Sequence, residues 1–249
     1  MDKNAKKWFG LANQESEKGN TRKSIEYYSK AISIKPDYIS AYYNRAQDYD
    51  SLGEYEHAIQ DYTRVIKLKL NPSNHEAYYN RGLSFRKLKQ YQKAISDYSK
   101  AIELLPDYTE ALHNRGNVYF LLGNYDSAIK DYSKVISLEP AFYLAYYNRG
   151  IAFDETGEYI KAVRDYTAAI ELNPDFTQAY NNRGISFRHL GQLENSIADY
   201  NRAIEMKPEY ETAIENRQEV LDHRVDIVLS KKGRYYKHLT KLLNKGLMS

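Results

Sequence analysis

The chain has 249 residues, 42% hydrophobic and 28% charged, with a formal net charge of +3; this balance excludes a disordered polymer and fits a folded chain. No run of about 18 apolar residues occurs, so no membrane-spanning helix is expected, and the basic stretch Met1 to Lys7 lacks the apolar segment of a secretory signal. The absence of cysteine excludes disulfides, thiolate metal sites and a cysteine nucleophile, and the default expectation is a cytoplasmic protein.

Along the chain one pattern recurs. Asn-Arg appears at Asn44-Arg45, Asn80-Arg81, Asn114-Arg115, Asn148-Arg149, Asn182-Arg183 and Asn216-Arg217, and all six prolines (Pro36, Pro72, Pro106, Pro140, Pro174, Pro208) share one phase. The predicted units are 5–38, 39–74, 75–108, 109–142, 143–176 and 177–210. The second has two extra residues, which the spacing confines to Lys67–Asn71.

Each unit reads as two helices. In the third, Tyr78, Gly82 and Phe85 fall at i, i+4 and i+7 on one stripe, and Ala94, Tyr98 and Ala101 repeat that rhythm. Gly82, Gly116, Gly150 and Gly184 permit close helix approach, whereas Gly53, Gly123, Gly157 and Gly191 stand where the first helix should end. Each proline closes a second helix. Most of the 26 tyrosines are thereby assigned to repeated packing positions, including Tyr28, Tyr62, Tyr98, Tyr132, Tyr166 and Tyr200. A lone hairpin cannot bury its own stripe, so neighbours must stack.

Residues Trp8, Leu11, Ala12, Tyr28, Ala31 and Pro36 in the first unit, and Leu112, Gly116, Tyr119, Ala128, Tyr132 and Pro140 in the fourth, resemble the tetratricopeptide repeat pattern. The resemblance covers about four fifths of the chain. It implies an all-α, right-handed superhelical α-solenoid of antiparallel helix pairs. It also implies a non-catalytic scaffold or adaptor that binds a peptide or protein segment in a concave groove lined by the first helices.

At about 100° per residue, Arg45 lies about 60° from the stripe begun at Tyr42, and a guanidinium there needs a carboxylate. Asp61, Asp97, Asp131, Asp165 and Asp199 each follow Arg45, Arg81, Arg115, Arg149 and Arg183 by 16 residues, while the first unit replaces both partners with Leu11 and Tyr27. These are expected to be structural ion pairs. Asn44, Asn80, Asn114, Asn148 and Asn182 fall about 200° from the stripe, where the resemblance places the groove; stacked amides there suit an extended backbone, or else they serve local helix contacts. Tyr43, Tyr79, His113 and Tyr147 would add aromatic walls.

Some relatives grip chaperone C-terminal carboxylates with two lysines, two asparagines and an arginine. Asn13 and Asn44 match, but Phe9, Glu76 and Asn80 occupy the other places, so partnership by that route is not expected. Arg86 and Lys87 in the third unit, Asp154 and Glu155 in the fifth, and Arg188 and His189 in the sixth alternate the charge of the lining.

Residues 211–249 are expected to form a capping helix (Ile214, Leu221, Val225, Val228) and a basic amphipathic tail, with Lys231, Lys232, Arg234, Lys237, Lys241 and Lys245 and no acidic residue. That tail could bring a bound protein to a membrane surface or an acidic partner, the alternative to a plain scaffold. Residues 1–230 carry −3 in sum, which argues against nucleic acid. No phosphate-binding loop, HExxH or nucleophile elbow is present, and no cofactor, metal or catalysis is expected.

Overall fold

The computed structural model describes residues 3–68 and 74–222, all organised by helices and turns. The helices are α1 (Lys3–Glu17), α2 (Thr21–Ile34), α3 (Ile39–Ser51), α4 (Tyr55–Leu68), α5 (His75–Lys87), α6 (Tyr91–Leu104), α7 (Thr109–Leu121), α8 (Tyr125–Leu138), α9 (Tyr143–Glu155), α10 (Tyr159–Leu172), α11 (Thr177–His189) and α12 (Leu193–Met206). A further helix, α13, covers 211–222. The expected two-residue insertion and Pro72 fall largely on 69–73, and the basic tail on 223–249; both lie outside the described residues.

Two compact units divide between Glu139 and Pro140. In the first, α1/α2, α3/α4, α5/α6 and α7/α8 are hairpins, and each second helix packs on the first helix of the next hairpin. The second unit repeats the scheme with α9/α10 and α11/α12.

The hairpins close around tyrosine. Tyr28, Tyr62, Tyr98, Tyr132, Tyr166 and Tyr200 are the largest fully buried side chains of the described chain. The Tyr98 ring lies so near α5 that a Cβ on Gly82 would sit 2.8 Å from its Cε1. Ala12 and Ala46 hold the corresponding place in the first two repeats and are wholly buried. Small residues therefore set the separation of the two helices in each hairpin, as the stripe required.

The turns inside the hairpins follow from backbone chemistry. Gly53 adopts φ +75°, and the amides of Gly53 and Glu54 bond back to the carbonyls of Asp50 and Tyr49, closing α3 with a left-handed residue. Lys89 holds the same turn after α5 at φ 57°, although it carries a side chain. That position costs a non-glycine residue about 1–2 kcal/mol.

Candidate functional site

Each predicted arginine meets its aspartate in two parallel bonds. Arg45 Nε and Nη2 donate to Asp61 at 2.7 and 2.8 Å. Arg81 with Asp97, Arg115 with Asp131, Arg149 with Asp165 and Arg183 with Asp199 repeat the fork at 2.6–2.8 Å. The carboxylates are buried, Asp131 only 5% exposed. Burial opposes the Arg115 cation, but the bonds and charge of Asp131 outweigh it and raise its pKa; for Asp97, burial dominates and pushes the carboxyl up despite Arg81.

The same guanidiniums reach one hairpin further. Nη1 of Arg45 donates to Ser29 Oγ, Arg81 to Thr63, Arg115 to Ser99 and Arg183 to Thr167, at 2.8–3.0 Å. Each of these arginines thus ties its own two helices together and both to the preceding hairpin. The hydroxyl partners directly follow the buried tyrosines Tyr28, Tyr62, Tyr98 and Tyr166. That recurrent Tyr-Ser or Tyr-Thr pair was the available signal, and sequence reasoning passed over it.

The asparagines form a second ladder. Asn80 Nδ2 donates to the Tyr43 hydroxyl at 2.9 Å, Asn114 to Tyr79 at 3.0 Å and, in the second unit, Asn182 to Tyr147 at 3.1 Å. Asn44 donates to Asn13 Oδ1 at 3.1 Å, and Asn114 also bonds the Glu110 carbonyl at 2.9 Å. The amides are therefore held between repeats, and the aromatic residue before each asparagine is the anchor for the next one. Asn148 occupies the matching register of α9.

The anchors are themselves packed. Rings of Tyr43, Tyr79, His113 and Tyr147 lie 5.8–5.9 Å from those of Tyr62, Tyr98, Tyr132 and Tyr166. Burial, then the charge of Glu76, pushes the Tyr43 hydroxyl up to about 12. Burial and then Arg86 lower the pKa of His113, so its ring is held neutral to more acidic pH than an ordinary histidine. The result is a half-buried polar row on the first helices of each unit.

Cavities open along that row. One of about 210 Å³ is lined by Tyr43, Asn44, Asn74 and Glu76, and another of about 360 Å³ by Asn13, Tyr28, Asn44 and Asp48. In the first unit the carboxylate of Asp50 accepts from Ser84 at 2.7 Å and Tyr62 at 2.9 Å, and in the second Asp154 accepts from Ser186 and Tyr166 at 2.6 and 2.7 Å. Burial pushes both carboxyls up.

Comparison with known proteins fits this geometry. A tetratricopeptide repeat model matches residues 39–74, 75–108, 143–176 and 177–215; a TPR repeat model matches 12–49 and 116–157; and a further tetratricopeptide repeat model matches 98–130. The chain belongs to the tetratricopeptide repeat family. A stretch of 72 residues is 36% identical to the uncharacterized protein MJ0572 of Methanocaldococcus jannaschii, covering 28% of this chain and 84% of that protein. The crystal structure of the C-terminal part of a TPR repeat-containing protein from Cytophaga hutchinsonii superposes with a TM-score of 0.78 at 22% identity, over 90% of each chain. YrrB, described as a TPR protein with an unusual peptide-binding site, superposes with a TM-score of 0.68 at 21% identity, over 77% of this chain and 97% of that one. The role that comes with the family is that of a protein-interaction scaffold, generally without catalysis, for protein or peptide partners. Among the described residues, no helix is long and apolar enough to cross a membrane.

Proposed function

We propose that the chain is an adaptor whose first-helix faces take an extended peptide segment of a partner protein. In the first unit the contact residues are Tyr43, Asn44, Tyr79, Asn80, His113 and Asn114; in the second they are Tyr147, Asn148 and Asn182. The observation that carries this reading is the fixed row of amides and phenols. Asn80 spends one of its two N–H groups on Tyr43, and an amide still offers a further N–H and a carbonyl oxygen. Because the rungs are already ordered, a ligand recovers about 1 kcal/mol per hydrogen bond without immobilising side chains first. The Arg-Asp forks belong to the frame, since their donors and acceptors are consumed inside the array.

Peptides selected from a random display library against the immobilised full chain provide the test. Asn80→Ala with Asn114→Ala should weaken the selected peptides by about tenfold or more, the loss of one or two bonds, with the helical circular dichroism retained. Undiminished binding to that double variant would move the site off this face.

A further inference from the structure

Arg86 stands in the last turn of α5, and among the described residues no carboxylate forms an ion pair with it. It lies beside Tyr98, and its charge also acts on Tyr79 and His113. Its Nε and the hydroxyl of Tyr98, a side chain that is 0% exposed, are buried beside each other, and among the described residues neither has a further hydrogen-bond partner. Every arginine of the forks, by contrast, is saturated by an aspartate. A half-buried guanidinium that gives up water and gains no carboxylate stands at a deficit that a ligand can remove.

The second unit contains the same register with the deficit filled. Arg188 ends α11 beside Tyr200, as Arg86 ends α5 beside Tyr98, and Arg188 Nη1 pairs with Glu219 of α13. At one constant offset along the chain, Ser84, Arg86, Tyr98 and Asn117 correspond to Ser186, Arg188, Tyr200 and Glu219. Asn117 is neutral, and its Oδ1 accepts from the Tyr132 hydroxyl at 2.8 Å. The Tyr200 hydroxyl is likewise buried, so what separates the two units here is the carboxylate on the guanidinium.

We propose that Arg86 receives a carboxylate from a bound peptide, taking from the ligand what Arg188 takes from Glu219. The inference rests on the reading of the first-helix face as the peptide-binding face. Placement of charge supports it. Glu76 and Glu110 stand in the first turns of α5 and α7, and ten residues of helix put about 15 Å between Glu76 and Arg86. An acidic group is therefore repelled at one rim of the face and drawn to the other, where exposed Lys87 adds a second positive charge. The carbonyls at the end of α5 oppose an anion, as those of α11 do at Arg188, where the pair forms nonetheless. The carboxylate is an Asp or Glu side chain or a peptide C-terminus, and the two share this chemistry.

The full chain would be titrated with three glycine-serine peptides, followed by the Arg86 Nε–H signal in a 15N spectrum and by calorimetry. One carries a single glutamate and is blocked at both ends, the second has glutamine instead, and the third has glutamine and a free C-terminal carboxylate. At least one carboxylate peptide should bind about tenfold more tightly than the blocked glutamine peptide, one charge-assisted bond, and should shift the Arg86 signal. The stronger arm identifies the source. Arg86→Gln should erase the preference with an unchanged melting temperature. Asn117→Glu, which supplies the carboxylate in cis, should erase it as well. Equal binding of all three peptides, or a preference that survives in either folded variant, overturns the role of Arg86 and leaves the face reading intact. Failure of every peptide to bind overturns both.

Discussion

Arg115 holds both oxygens of Asp131 in its own hairpin and the hydroxyl of Ser99 in the hairpin before it. Removing it leaves a carboxylate that is 5% exposed with no cation beside it. Arg115→Leu should therefore cost about 3–5 kcal/mol, the penalty for breaking a buried pair from one side. Urea unfolding of the full chain measures it. Adding Asp131→Tyr recreates the Leu11 and Tyr27 combination of the first repeat, where Tyr27 packs on Trp8 at 5.2 Å, and should return most of the loss. A single variant as stable as the parent would show that the fork does not brace the array. The pairing was legible in sequence because the first repeat loses both partners together. The hydroxyl leg was harder to see: Ser99 precedes Arg115 by a hairpin, and only the recurrence of serine or threonine after the buried tyrosine, not any single repeat, marks it.

At the scale of the element, the hairpin turn explains what pattern reading could and could not supply. Gly53, Gly123, Gly157 and Gly191 were legible as helix stops, and all adopt positive φ in the structure, as does Gly19. Lys89 gives no such signal, because a lysine offers no local reason to enter the left-handed region; the closure of α5 onto α6 imposes it. Lys89→Gly should stabilise the chain by about 1 kcal/mol, by relieving that strain at the expense of a more flexible unfolded state. Thermal denaturation with the equivalent Gly191→Lys as control checks this: the first change should raise the melting temperature and the second lower it. A neutral or destabilising Lys89→Gly would mean that the lysine side chain has a compensating contact. The asparagine bonds were illegible for another reason. Asn80 and Tyr43 are neighbours only after two hairpins have stacked, so no period within one helix reveals that the groove amides and aromatic walls are donor and acceptor of one ladder.

For the molecule as a whole, the hairpins and the all-α class follow from one comb of residues, and tetratricopeptide repeat models match along the chain. Above the single repeat there is a longer recurrence. Asp50, Tyr62, Ser84 and Arg86 in the first unit return as Asp154, Tyr166, Ser186 and Arg188 in the second, with the same hydrogen bonds onto each aspartate. Each unit thus offers its own polar row, and the rows differ in which charges are already answered within the chain. The central claim is that this row on the first helices receives the partner. A footprint by NMR on the full chain with a selected peptide bound tests it most directly. The account predicts that the side-chain amide signals of Asn80 and Asn114, or of Asn148 and Asn182, shift together with backbone signals of α3, α5 and α7, or of α9 and α11. Shifts confined to the second helices α4, α6, α8, α10 and α12, with those amide signals unmoved, would contradict it.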